Sequence, residues 1–316
     1  MLFRLAKIRL FSHNSYIGDF LYIRRIMKRI LITFILVLAS CPIWGIEHEK
    51  DSLAFVNADW NIIELEGGAA AMTAQVQIFD SPQSISIIRY PARKFKTALI
   101  HSPEAKAGKT SEIAQREGML MGMNGSYFNM KQLTPCTYFR IGDEVLGETS
   151  ASESFRVNGV IGIKGRKGRR IIITSCQPGQ YDEVTGKWQA VLASGPVLME
   201  DGGIVIPEIT KADGNGNGID SFYDKRHPRS VIGYDSKGYI YLIVADGRHP
   251  GNAEGTSIYE TALICSFLGL EDAINMDGGG SSALWHSEEG VLNHPSDNRK
   301  FDAEGERKVP NIIGVF

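Results

Sequence analysis

The sequence sets one acid directly against three glycines, Asp277-Gly278-Gly279-Gly280, with Ser281 and Ser282 following. A carboxylate beside several unobstructed backbone N–H groups forms a concavity that binds an anion or stabilises developing negative charge. The competing reading is a hairpin turn, since Asp-Gly opens turns, but a turn needs one or two glycines rather than three. Asp246-Gly247-Arg248 repeats the pattern, an acid and a guanidinium at the end of an apolar run. Asn124-Gly125-Ser126-Tyr127-Phe128 offers an amide, a small residue and an aromatic ring at another run's end, and it reads equally well as an Asn-Gly turn. His227-Pro228-Arg229 supplies a guanidinium, whose planar fork suits phosphate or carboxylate. In isolation, a surface arginine is the simpler reading there. Ser194-Gly195-Pro196 by itself is a plain turn. Glu260 stands three residues after Ser257, the spacing of a capping box, so it caps a helix, faces a site, or does both.

Residues 211–224 read KADGNGNGIDSFYD, in which Asp213, Asn215 and Asn217 alternate, Gly218 follows and Asp224 falls twelfth. Alternating oxygens around a glycine turn resemble a calcium loop, although two amides and a short twelfth acid weaken the ligand set. A Gly/Asn loop without metal is the alternative. A structural Ca2+ at this loop is the only metal expected, and the chemistry below requires no cofactor. Walker-type, G-x-S-x-G, HExxH and paired CxxC motifs do not occur.

These groups need rigid elements to hold them. Apolar runs bounded by Gly, Pro, Asp or Asn predict strands over 74–79, 84–90, 120–123, 138–141, 159–163, 170–174, 197–200, 230–234, 239–245, 273–276, 282–285 and 311–316. Ser236-Lys237-Gly238 between two of them predicts a hairpin. Helices are few: a short one over 110–117, and one over 258–268 that is apolar on nearly every face and therefore buried. The fold class expected is α+β, a single strand-rich domain with a mixed or antiparallel sheet and few helices.

Composition narrows the function classes. Of 316 residues, 43% are hydrophobic and 22% charged, as in soluble globular chains. Lys plus Arg number 34 against 36 Asp plus Glu, leaving no positive field for nucleic acid. At the amino end, Arg24, Arg25, Lys28 and Arg29 precede an apolar run, 30–39, too short to span a bilayer. Residues 1–45 read as an export signal, with Met27 an alternative start. Leu38-Ala39-Ser40-Cys41 reads as a lipobox that makes Cys41 the lipidated first residue, with cleavage near Gly45 the alternative. Membrane contact is then through signal or lipid only, and the location is the periplasm or cell envelope. Cys265 falls in the apolar helix, whereas Cys136 and Cys176 are free to pair or not.

From about residue 119 onward the chain resembles the phosphodiester glycosidase family. The segments are NGSYF (124–128), LASGPVLMEDG (192–202), RSVIGYDSKGYIYLIVADGR (229–248), TSIYETA (256–262), DAINMDGGGSSALW (272–285), NHPSD (293–297) and VPNIIGVF (309–316), in the family's order. The resemblance implies a catalytic region over 119–316; residues 46–118 lie outside it and read, from their apolar runs, as a strand-rich extension. It implies hydrolysis of a glycan or sugar 1-phosphodiester, and a polar site of Asn124, Ser194, Gly195, Arg229, Asp246, Glu260, Asp277, Gly278 and Gly279. Ser126 departs from the pattern, where many relatives carry a second glycine. Asp277, Asp246 and Glu260 are the expected catalytic acids, while Arg229 and the glycine loop are expected to stabilise the phosphate. The competing class is a non-catalytic envelope module that binds phosphorylated glycans.

Overall fold

Alternating apolar residues on a strand point to opposite faces of its sheet, so a strand covered on both sides reads as nearly continuous hydrophobic sequence. The two strands Arg229–Tyr234 and Tyr239–Ala245 are of this kind. They pair antiparallel, with Tyr234 opposite Ile240, across the turn at Gly238, whose φ is +83°. Asp235 fixes that turn by accepting hydrogen bonds from the Lys237 and Tyr239 amides at 3.0 and 2.9 Å.

The computed structural model describes residues 48–165, 170–206 and 219–316. Within the unit Asp51–Phe316, this hairpin lies at the centre of an eight-stranded sheet. The order is Asn61–Glu64, Ala70–Ile78, Ser81–Pro91, Tyr239–Ala245, Arg229–Tyr234, Asp272–Asn275, Val197–Glu200 and Gly203–Ile204. One five-stranded sheet contains Arg170–Ser175, Gly159–Lys164, Ala190–Ser194, Phe139–Ile141 and Glu144–Gly147. Another contains Gly290–Val291, Leu284–His286, Met121–Asn124, Asn311–Val315 and Thr97–His101. The pairings in all three sheets are antiparallel. The fold is therefore α+β and strand-rich, as the apolar runs predict.

The core divides by strand periodicity. Ile88, Tyr90, Ile232, Leu242, Val244 and Ile274 turn toward side chains of the two smaller sheets, such as Ile161, Leu192, Met123 and Ile313. Their neighbours Ile85, Ile87, Val231, Tyr241 and Ile243 turn the other way, onto the helix Ile258–Phe267 and Phe55. That helix begins as its sequence predicts. Ser257 Oγ accepts from the Glu260 amide, and Glu260 returns a carboxylate oxygen to the Ser257 amide. It ends in a Schellman turn, with the Leu270 amide on the Cys265 carbonyl and Gly269 at φ +69°.

Several boundaries differ from the pattern-based reading. The strand expected over 273–276 runs Asp272–Asn275, and the one expected over 282–285 begins only at Leu284, because Gly279–Ser281 closes into a 3-10 turn. The strands Thr97–His101 and Ala190–Ser194 carry no clear alternation in sequence and were not expected. Ser194 thus ends a strand rather than opening a plain turn. Cys136, Cys176 and Cys265 are all free thiols, the last fully buried.

Candidate active site

Asp277 leaves the end of the strand Asp272–Asn275 and is held there through its backbone. Its amide donates to the Gly125 carbonyl at 3.0 Å, and its carbonyl accepts from Asn124 Nδ2 at 2.6 Å. Asn124 is fully buried, and its Oδ1 accepts from Ser230 Oγ at 2.8 Å and from the Ala283 amide at 3.2 Å. One side chain thereby ties the acid to the central sheet and to the far end of the glycine loop. Ser194 and Gly195 act from the opposite side. Ser194 Oγ and the Gly195 amide both donate to the Asn275 carbonyl, at 2.8 and 3.0 Å. The Gly195 carbonyl accepts from Tyr127 Oη at 2.6 Å and Asn275 Nδ2 at 2.9 Å. Gly278 and Gly279 pack against Pro228, to whose carbonyl the Gly279 amide donates at 2.9 Å.

The carboxyl of Asp277 sits in a charged neighbourhood. Burial raises its pKa above the ordinary aspartate value, and the charges of Arg156 and Arg307 only partly offset this. Arg156 lies flat over the Tyr127 ring, 3.8 Å from its centroid, and pairs with Glu153. Arg307 pairs with Asp297. Cys136 is close enough to feel the same charges, and burial pushes its thiol up to about 12, so it stays neutral.

The other two expected acids are engaged elsewhere. Asp246 is 1% exposed, and its two oxygens accept four hydrogen bonds. These come from Ser84 Oγ at 2.8 Å, Asn293 Nδ2 at 2.9 Å, the His294 amide at 3.0 Å and His294 Nδ1 at 2.9 Å. Glu260 closes the capping box and binds Arg226 in a fork, with Nε at 3.1 and 3.0 Å and Nη2 at 2.5 Å. Arg229 is likewise occupied. Its Nε donates to the Thr256 carbonyl at 2.9 Å, and its Nη2 to those of Phe222 and Lys225 at 2.7 and 3.1 Å. Burial pulls its pKa down to about 10.

The structure thus brings Asn124, Ser194, Gly195, Gly278, Gly279 and Asp277 into one hydrogen-bonded shell, with Arg229, Asp246 and Glu260 tying together the surrounding strands and helix. Tyr127 and Asn275 also belong to it, and the charges of Arg156 and Arg307 act on its acid. Tyr127 was visible in the NGSYF segment, but Arg156 and Arg307 come from loops with no distinguishing pattern. Of the expected calcium loop, Asp213, Asn215 and Asn217 lie outside the described residues, and Asp224 is exposed. Among the described residues no group of three or more His, Cys, Asp or Glu could hold a metal ion. The export segment 1–45 and Cys41 also lie outside them, and no described helix is long and apolar enough to cross a membrane.

An antiparallel α+β scaffold with an acid-and-glycine loop at a strand end defines a class, and sequence comparison gives that class its family. Residues 117–316 match the model of the phosphodiester glycosidase family, and the chain belongs to it. Over 222 residues it is 25% identical to the N-acetylglucosamine-1-phosphodiester alpha-N-acetylglucosaminidase of Bos taurus. That match covers 66% of this chain and 39% of the bovine protein, so the chain spans about two-fifths of that relative's length. The fold is similar to the zebrafish N-acetylglucosamine-1-phosphodiester alpha-N-acetylglucosaminidase catalytic domain, in a structure auto-inhibited by its pro-peptide. The TM-score is 0.58 at 17% identity, covering 82% of each chain. A hypothetical protein from Synechocystis is similar with a TM-score of 0.55 at 15% identity, over 83% of this chain and 64% of that one.

Proposed function

We propose that this protein hydrolyses the glycosidic C1–O bond of a sugar 1-phosphodiester, releasing the sugar and a phosphomonoester. The observation that carries the reading is Asp277, a half-buried carboxyl fixed through its backbone beside three glycines and lying within the charge fields of Arg156 and Arg307. Glycosidases ordinarily need one carboxyl to protonate the leaving oxygen and a second to attack or to activate water. A departing phosphate ester is already the base of a strong acid and needs little protonation. One well-placed carboxylate with positive charge nearby is therefore sufficient, and Asp277 is the residue for it. Asp246 and Glu260 serve this site through the frame they hold, and Arg229 by binding the carbonyls of Thr256, Phe222 and Lys225.

The bovine relative's name supplies N-acetylglucosamine 1-phosphodiesters as the first substrates to try. The sequence of residues 24–41 supports export and lipidation at Cys41, which mass spectrometry of the mature amino terminus tests. A calcium ion at 213–224 remains part of the proposal, tested by the shift in melting temperature on adding calcium or chelator.

The deciding experiment incubates the protein with a panel of sugar 1-phosphodiesters in 18O-labelled water and identifies the products. Label in the sugar shows C1–O cleavage, whereas label in the phosphate shows P–O cleavage and overturns the reading. The alternative, a module that binds phosphorylated glycans without turning them over, draws on the commitment of Asp246 and Glu260 to structural contacts. Saturable glycan binding without products from any member of the panel would establish it.

A further inference from the structure

Four arginines lie near Asp277 or its glycine loop, and they are not equivalent. Arg229 is 2% exposed and spends its Nε and Nη2 on backbone carbonyls. Arg156 is laid on the Tyr127 ring and neutralised by Glu153. Arg307 packs against Gly280 and shares Asp297, with Nε at 3.0 Å and Nη2 at 2.5 Å from the same carboxylate oxygen. Arg248 differs from all three. It is exposed, and among the described residues it has no hydrogen-bond or ion-pair partner.

Its position is nevertheless fixed. Arg248 follows the strand Tyr239–Ala245 with its own backbone in the left-handed region, φ +65°. Its Nη2 lies over Gly279, where a Cβ would stand only 2.9 Å away. Gly279 itself has φ +62°, which disfavours a side chain there as well. The second and third glycines therefore do more than make a turn: each lets one guanidinium lie directly on the backbone. Arg248 and Arg307 are near enough for the charge of Arg307 to depress Arg248, after burial, while Asp297 and Asp277 oppose that effect. Two like charges held near each other, with only Arg307 paired to a carboxylate, leave a surplus of positive charge beside the reactive carboxyl. Paired planar forks suit an anion with several oxygens in a tetrahedral group better than a single carboxylate.

We propose that Arg248 and Arg307 form the subsite for the substrate's phosphoryl group, on the face of the loop made by Gly279 and Gly280. This inference rests on the phosphodiester glycosidase reading and places its leaving group. The phosphoryl oxygens bridge the two guanidiniums, the anomeric carbon faces Asp277, and Arg229 stays behind the loop as a brace. When the C1–O bond breaks, its electron pair goes to the phosphate oxygen, and the charge that develops there is met by groups already in place. A water molecule supplies the hydroxyl of the released sugar, and its remaining proton passes to solvent.

Inorganic phosphate is the probe, titrated calorimetrically at fixed ionic strength into the full chain and into R248A, R248K, R307A and the surface control K237A. The affinity for phosphate should fall about tenfold or more in R248A and R307A, the scale of a lost charge-assisted hydrogen bond. R248K should recover part of it, and K237A should bind as wild type does. KM for a sugar 1-phosphodiester should rise in parallel in R248A. Melting temperatures show whether R307A, which strands Asp297, still folds; R248A strands no carboxylate and decides the matter alone. Phosphate binding by R248A equal to wild type overturns the subsite, as does the absence of saturable phosphate binding by wild type. The two readings fail separately. Arginine-dependent phosphate binding without turnover of any sugar 1-phosphodiester retains the subsite and removes the glycosidase. Wild-type turnover and KM in R248A retain the glycosidase and remove the subsite.

Discussion

Asp277 is held in a form that costs the folded protein stability. Its carboxyl pKa is raised mainly by burial, so the ionised state is less favourable here than in the unfolded chain. For a group shifted in this direction, the stabilising contribution is complete at low pH and is lost as pH rises through the raised pKa. Asp277→Asn removes the charge and keeps the shape, and is expected to raise the melting temperature at neutral pH. The same substitution should lower turnover of a sugar 1-phosphodiester on the order of ten-thousandfold, the scale of losing a catalytic carboxylate. Wild-type kcat/KM should fall on the acid side at a pH above the ordinary aspartate range, since the base form is the working one. Calorimetric melting and a pH–rate profile check both effects. An Asp277→Asn protein that is destabilised yet active would remove the residue from the mechanism. Asp246 makes the opposite case. Its four donors include a hydroxyl from a strand 162 residues away in sequence, so the carboxylate joins distant parts of the chain. Asp246→Ala leaves those donors without a partner in a buried place, each costing about 1–3 kcal/mol. The expected loss is several kcal/mol, read from chemical denaturation, and activity should fall only as far as the fold does.

The element that announces itself most clearly is the helix Ile258–Phe267. Its cap, its apolar surface and its glycine stop are all local, so sequence alone places it within a residue at its end. The central strands are legible for a similar reason, since two covered faces leave long apolar runs such as Tyr239–Ala245. Shorter pieces fail because little is local about them. Thr97–His101 is a strand by virtue of Asn311–Val315, more than two hundred positions later, and nothing in five residues reveals that partner. The site divides in the same way. Asp277 and its glycines are consecutive and visible, whereas Arg156 and Arg307 reach them from ordinary loops through tertiary folding. Glu260 was ambiguous in sequence because a capping glutamate and a catalytic one look alike. The structure gives it two tasks at the start of the helix, the cap and Arg226. Glu260→Gln weakens both, and with the pair partly exposed the expected cost is about 1 kcal/mol, with kcat and KM unchanged. A large fall in kcat with an unaltered melting curve would place Glu260 in the chemistry instead.

At the scale of the molecule, the family match begins at residue 117, yet the strands that precede it are part of the same cores. Residues 85–91 of the strand Ser81–Pro91 pair with the whole of Tyr239–Ala245 and bring Ile85, Ile87 and Ile88, all fully buried, to both faces of the central sheet. Thr97–His101 closes the edge of the sheet that carries Asn124. Ser84, on the first of these strands, is one of the four donors to Asp246. Burying each isoleucine side chain is worth about 1.5–3 kcal/mol, so these three alone match much of the roughly 5–15 kcal/mol that stabilises an ordinary domain. A fragment of residues 117–316 is therefore expected not to fold, although it contains every residue of the proposed site. A fragment of residues 51–316 should keep the near-ultraviolet circular dichroism and the cooperative melting of the full chain. The comparison is informative because the shorter fragment retains Asp277, Arg248 and Arg307. If it melted cooperatively and bound phosphate, the preceding strands would be an accessory layer. If only the longer fragment does so, the region preceding the family match is what makes the glycine loop a site.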